Sequence, residues 1–144
     1  RYFNIYSERQ GIGAFYTQVF QKWIHAIHED REIIMYGDGE QTMDLVHSSD
    51  AAEANVLALF NPQVKDEFFN VGTGIETSLK QLLGIIERLM GKKAKVKHVD
   101  SDPHLVRRRC ASIEKIQRLL GFEPRVTLEE GTRRYIDTLL GNQS

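Results

Sequence analysis

A chain of 144 residues, 41% hydrophobic and 27% charged, is long enough to form one domain with its own core. Its 19 basic residues nearly balance 20 acidic ones for a net charge of −1, so no global field draws it to nucleic acid or an anionic membrane, and any anion site must be local. No apolar run approaches the ~20 residues of a membrane-spanning helix, and the lone cysteine, Cys110, has no mate for an internal disulfide, as expected in a reducing cytoplasm.

Tyr2-Phe3-Asn4-Ile5-Tyr6 is aromatic and β-branched apart from Asn4, and reads as a strand entering the polar turn Ser7 to Gly11. It has neither the charged start nor the apolar stretch of a signal peptide, and an opening inside a strand, on Arg1 rather than Met, is expected of a piece of a larger protein. Phe15, Val19, Phe20, Trp23, Ile24 and Ile27 recur at helical spacing. Ile33-Ile34-Met35-Tyr36 reads as a short buried strand, stopped by the turn residues Gly37-Asp38-Gly39. Ser49 or Asp50 can cap the next helix, which presents Ala51, Ala54, Leu57 and Ala58 on one face and ends at Asn61-Pro62. Phe68 to Val71 predicts another strand. After Gly72-Thr73-Gly74, Thr77-Ser78 can cap a helix carrying Leu79, Leu82, Leu83, Ile86, Leu89 and Met90, closed by Gly91. Lys95 to Val99 reads as a strand near a sheet edge, where its lysines stay in water. Ser112 can cap a helix with Ile113, Ile116, Leu119 and Leu120 inward, ended by Gly121, and Thr127-Leu128-Glu129-Glu130 matches a capping box opening the last helix. The order β-α-β-α-β-α-β-α-α, with short strands and about five helices, is an α/β pattern.

Glycine clusters invite a nucleotide reading but do not complete one. Gly11-Ile12-Gly13 has Tyr16 where a dinucleotide fingerprint needs its third glycine, Gly72-Thr73-Gly74 lacks a phosphate-loop lysine, and Gly37-Asp38-Gly39 has no helix directly behind it. Asp44, His47 and Ser48 lie too close in sequence to converge as a hydrolase triad, so a structural histidine is the better expectation. His25 and His28 have a metal-compatible spacing without a partner set. Arg107-Arg108-Arg109 is different in kind: three adjacent guanidinium groups repel one another unless carboxylates or anions share the site. Either a phosphate ligand or a solvated turn, with one arginine paired to Glu114 or Asp102, would satisfy them.

Four segments together resemble the second half of extended short-chain dehydrogenases, the family of UDP-glucose 4-epimerase and dTDP-glucose 4,6-dehydratase. They are Arg1 to Tyr6, Tyr36-Gly37-Asp38-Gly39-Glu40-Gln41-Thr42, Phe69 to Gly74, and Lys115 to Pro124 with Leu128-Glu129-Glu130-Gly131, in family order and spacing. The resemblance implies that residues 1–144 are the C-terminal substrate-binding portion of an extended Rossmann-type enzyme, with strands 2–6 and 68–71 belonging to the sheet of the NAD half. It implies that Asn4 points its amide at the diphosphate of a UDP- or dTDP-sugar, that Phe3 lies toward the nicotinamide, and that Ile34, Met35 and Tyr36 line the base pocket. Many relatives carry a phosphate-gripping arginine where this chain has Met43, and Arg-Pro-Gly-Asp where it has Asp102-Pro103-His104-Leu105. Arg107 and Arg109 are the expected replacements, so Asn4, Tyr36 and the arginine turn should share one concavity.

The family's glycine-rich loop and its Tyr-x-x-x-Lys pair do not occur in these residues. The intact enzyme is therefore expected to use NAD held by a preceding half, and this chain alone is expected to be inactive. It is also expected to self-associate through the strands that such a half would cover. The alternative is a non-catalytic binding or regulatory module of the same fold.

Overall fold

The computed structural model describes residues 1–10, 18–100 and 106–141. In chain order its elements are β1 (Asn4–Tyr6), α1 (Gln18–His28), β2 (Glu32–Tyr36), β3 (Thr42–Met43), β4 (Leu45–His47), α2 (Ser48–Phe60), β5 (Thr77–Ser78), α3 (Leu79–Met90), β6 (Lys95–Val99), α4 (Glu114–Leu120) and α5 (Leu128–Gly141). The five helices and short strands make an α/β fold, and the strands form three small pairs. β1 lies parallel to β4, β2 parallel to β6, and β3 antiparallel to β5.

Apolar periodicity divides the core in two. The inward face of α1, with Phe20, Trp23, Ile24 and Ile27, packs with Ile33 and Met35 of β2, Leu82 and Ile86 of α3, and Tyr135 and Ile136 of α5. The second cluster sets the small face of α2, Ala51 and Ala54, against Val71, Ile113, Ile116, Leu120 and Phe122. Ile24 and Ile86 are wholly buried, so truncating either to Ala is expected to cost about 2–5 kcal/mol.

Local chemistry explains most helix ends. Ser78 Oγ accepts from Gln81 N–H while the Gln81 side chain accepts from Ser78 N–H, a complete capping box for α3. Gly91 and Gly121 close α3 and α4 in the left-handed region, at φ of 62° and 66°. At α5, Thr127 Oγ1 accepts from Glu130 N–H at 3.2 Å, while the Glu130 carboxylate pairs with Arg134 further along the helix.

Two expected caps are replaced. α2 is capped by His47, whose Nδ1 accepts from Ser49 N–H at 3.3 Å, because the Asp50 carboxylate is turned away to accept from Arg125 and Val126 N–H, both at 3.1 Å. α4 begins at Ile113 with no side-chain cap bond, and Ser112 instead offers its carbonyl to Asn70 Nδ2.

The strands differ more from expectation. Of the expected strand 68–71 only Val71 is bridged, to Tyr2, through Val71 N–H to Arg1 O and Phe3 N–H to Val71 O, both at 2.9 Å; the Arg1 terminal amine adds a bond to Phe69 O, and the Arg1 guanidinium lies over the exposed Phe68 ring. β2 is half-buried rather than buried: Ile33 and Met35 point into the core while Ile34 and Tyr36 are 49% and 53% exposed. The dinucleotide-like Gly11-Ile12-Gly13 and the 102–105 departure lie outside the described residues.

Close packing requires glycine at Gly72, where a Cβ would stand 2.7 Å from Asp44 Oδ2 and 2.6 Å from Ala111 Cβ. That approach brings the 72–74 turn onto Asp44.

Candidate functional site

Asp44 organises the region around Asn4 and the 72–74 turn. It is fully buried, yet its carboxylate accepts four hydrogen bonds, from Thr73 N–H at 2.8 Å, Thr73 Oγ1 at 2.7 Å, Gly74 N–H at 2.9 Å and Ala111 N–H at 3.1 Å. A buried carboxylate persists only with such satisfaction. It fastens the β3–β4 segment to the 72–74 turn and to the stretch following the arginines.

Asn4 meets the same segment from β1. Its backbone N–H and its side-chain Nδ2 both donate to Asp44 O, at 3.2 and 3.1 Å. One Nδ2 hydrogen thereby fixes the amide's orientation, leaving the second hydrogen and Oδ1 for other partners. Two residues before Asp44, Thr42 N–H donates to Arg107 O at 2.8 Å, so the arginine turn runs beside β3. Tyr36 joins through Gln41, whose Nε2 donates to Tyr36 O at 2.8 Å. Residues 36–44 thus form a backbone line that begins at Tyr36 and that Arg107 and Asn4 contact at Thr42 and Asp44.

Arg107 and Arg108 are paired with carboxylates that the sequence did not suggest, while Asp102, one of the two it did, lies outside the described residues. Arg107 Nη2 donates to Asp38 Oδ2 at 2.8 Å, and Arg108 grips Glu76 with two bonds, Nε to Oε1 at 2.9 Å and Nη2 to Oε2 at 2.7 Å. Thr42 Oγ1 adds a third bond to Glu76 at 3.0 Å. The Arg108 hydrogen bonds, followed by that from Thr42, hold the Glu76 carboxyl below the usual glutamate range. The Glu40 backbone N–H and then Arg107 do the same for Asp38, and the Glu76 contact raises Arg108.

β2 supplies an exposed apolar face. Ile34 and Tyr36 line a cavity of about 780 Å³ between α1 and β2, together with Trp23 and Leu79, under a charged rim of Lys22, Glu29, Arg31 and Glu32. Trp23 Nε1 donates to Ile34 O at 3.3 Å, tying α1 to the strand. Met35 is 2% exposed and belongs to the core, so its side chain contributes nothing to that face. Phe3 is half-buried against the second core cluster. Neither Phe3, Asn4, Arg107 nor Arg109 lines this cavity, so it is not the concavity expected to be shared by Asn4, Tyr36 and the arginine turn; what links Asn4 and Arg107 to Tyr36 is the 36–44 backbone.

The other candidates resolve into structure. His47 is 4% exposed, its Nδ1 occupied by Ser49 and its Nε2 by Glu8 Oε1 at 3.2 Å, while Asp44 is committed to Thr73, Gly74 and Ala111; no Asp44–His47–Ser48 triad forms. Among the described residues no group of three or more His, Cys, Asp or Glu side chains is placed to hold a metal, and no helix is long and apolar enough to cross a membrane. Met43 packs against the first core cluster rather than standing over the site.

Sequence reasoning missed Asp38, Glu76 and Thr42 as partners of the arginines. The visible signal for Asp38 was its place between two glycines, both of which adopt left-handed φ, at 69° and 75°. Glu76 carried none.

Residues 1–72 match the family model described as NAD dependent epimerase/dehydratase. A UDP-glucuronate 4-epimerase of Thermodesulfobacterium geofontis is 34% identical over 140 residues, covering 95% of this chain and 41% of that protein. A UDP-N-acetyl-alpha-D-glucosaminuronate decarboxylase of Bacillus cytotoxicus is 32% identical over 142 residues, covering 94% of this chain and 44% of the relative. The chain therefore spans less than half the length of these curated relatives. The crystal structure of Thermotoga maritima UDP-glucose 4-epimerase with UDP-glucose superposes on 100% of this chain and 46% of its own, at a TM-score of 0.90 and 28% identity. Bacillus cereus UDP-glucuronic acid 4-epimerase in complex with UDP-glucuronic acid and NAD gives 0.88 at 28% identity, over 99% and 44%. With its first 72 residues matched by the family model and its whole length following the epimerase backbone, the chain belongs to the NAD dependent epimerase/dehydratase family.

Proposed function

We propose that this chain is the C-terminal, nucleotide-diphosphate-binding portion of an enzyme acting on a UDP- or dTDP-sugar by epimerisation or dehydration, with the catalytic residues supplied by a preceding half. The observation that carries this reading is the superposition of the whole chain on an epimerase that holds UDP-glucose. The residues present do not fit NAD: no Tyr-x-x-x-Lys pair and no complete glycine fingerprint occur in the sequence. When bound to the preceding half, NAD supplies reversible hydride acceptance from a sugar carbon. Phe3 is then the residue of this chain expected toward the nicotinamide.

What this chain adds is binding energy that fixes the sugar's orientation. Asn4, already oriented by Asp44 O, offers its second amide hydrogen to a diphosphate oxygen. Ile34 and Tyr36 present an apolar edge and a ring suited to a pyrimidine base. Arg107 and Arg109 supply positive charge in place of the arginine that Met43 lacks.

A hydrogen bond to a charged group contributes about 1.5–3 kcal/mol, so removing both arginines should weaken binding at least tenfold. Calorimetry with UDP-glucose and dTDP-glucose on the full-length protein tests this. Arg107→Ala with Arg109→Ala should raise the Kd of the bound nucleotide sugar by ten or more, and an unchanged value rejects the assignment of the arginines. A protein that binds neither nucleotide sugar rejects the function itself.

The packing of Met43 into the core favours a second reading, a non-catalytic module that retains the fold. The sequence upstream of Arg1 separates the two, since a glycine-rich loop and a Tyr-x-x-x-Lys pair there support the enzyme.

A further inference from the structure

The arginine turn does not present three equivalent cations. Arg108 is held by two bonds to Glu76, and Glu76 is in turn held in place by Thr42 Oγ1, so releasing Arg108 would break both bonds to a carboxylate that is itself anchored to β3. Arg107 has one side-chain bond, to Asp38, and both members of that pair are more than half exposed. An exposed single-bond pair of this sort is weak, and a doubly charged diphosphate is the stronger partner for the same guanidinium.

Asp38 is also held in place. Its Oδ1 accepts from Glu40 N–H at 3.0 Å, and Gly37 and Gly39 on either side adopt the left-handed backbone of a tight turn. Lys80 is occupied by Glu40 at 2.5 Å. Oδ2 of Asp38 is thus aimed at Arg107 by the turn itself.

We infer that Asp38 is a built-in competitor for the diphosphate: it parks Arg107 in the empty site and yields it to the ligand, so it sets nucleotide affinity without touching the nucleotide. The inference rests on the function proposed above. It makes Asp38 a positioning residue and separates Arg107, the exchangeable cation, from Arg108, the structural one.

Asp38→Asn removes the competing charge while its amide oxygen can still accept from Glu40, and Asp38→Ser does the same with a hydroxyl. The test is calorimetry at fixed ionic strength on the full-length protein, with UDP and with uridine as ligands. Both variants should bind UDP roughly two- to fivefold more tightly, the size expected for removing an exposed pair. Uridine, which lacks phosphate, should bind with unchanged affinity. In the Arg107→Ala background the gain should vanish. UDP affinity that is unchanged by both Asp38 substitutions, a gain that persists without Arg107, or an equal gain for uridine each overturns the inference. UDP that fails to bind the unsubstituted protein refutes the proposed function instead, and this inference with it.

Discussion

Replacing Asp44 by Ala is expected to destabilise the fold by about 3–5 kcal/mol, a large share of the 5–15 kcal/mol available to a domain. Three backbone N–H groups and one hydroxyl lose their acceptor. The Ala111 N–H is buried and carries the full penalty of an unsatisfied donor, about 1–3 kcal/mol. Thr73 and Gly74 are partly exposed, water can reach their amides, and each loses nearer 1 kcal/mol. Asp44→Asn keeps one acceptor oxygen but places an NH₂ against donors, so it should cost less, about 2 kcal/mol. Urea denaturation with linear extrapolation measures both, and hydrogen exchange should accelerate at Thr73, Gly74 and Ala111 in particular. A cost below about 1 kcal/mol for the Ala variant, or a larger cost for Asn than for Ala, would refute the view that satisfied hydrogen bonds hold this carboxylate in place.

Glu76 gives a pH prediction. Its carboxyl is held below the ordinary range by Arg108 and then Thr42, so its pairing contributes in full above the unfolded-state value and is lost as pH falls through the lowered folded value. The Tm gap between the protein and Glu76→Gln should accordingly be widest at neutral pH and narrow progressively as pH falls below the ordinary glutamate range; a gap independent of pH would show that the carboxylate charge is irrelevant. Tyr2 and Phe68, flanking the Tyr2–Val71 bridge, and Leu59 and Phe60 on α2 are exposed apolar residues. The chain expressed by itself should therefore self-associate, visible as a rising weight-average mass in sedimentation from low to high concentration, and a persistent monomer would count against this.

What could be read from the sequence was whatever is decided within a few residues. The start of α3 follows from Ser78 and Gln81 three positions apart, and its end from Gly91, because a cap is a local hydrogen bond and a left-handed residue tolerates few side chains. The apolar stripe of α1 likewise announced which face enters the core. Strands need a partner that periodicity does not name. Phe68 to Val71 have strand composition but only one bridged residue, Val71, whereas Thr42–Met43 and Thr77–Ser78, too short to signal anything, pair with each other across the chain. Even in β2 the alternation of Ile33 and Met35 with Ile34 and Tyr36 was hidden, since all four are apolar and only the fold decides which pair turns outward.

Charge pairing shows the same limit more sharply. The repulsion among Arg107, Arg108 and Arg109 required counter-ions, and that much was legible; which carboxylates answered was not, because Asp38 lies 69 positions from Arg107 and Glu76 lies 32 from Arg108. The two pairings are nevertheless unequal for a reason the residues themselves explain. Glu76 offers two oxygens to a flat guanidinium and has Thr42 to hold it, so Arg108 is locked. Asp38 spends one oxygen on its own turn and has one left for Arg107. A cation held by one oxygen at the surface can change partners at little cost, and under the function proposed above that difference in valence would make Arg107 rather than Arg108 the cation that meets a diphosphate.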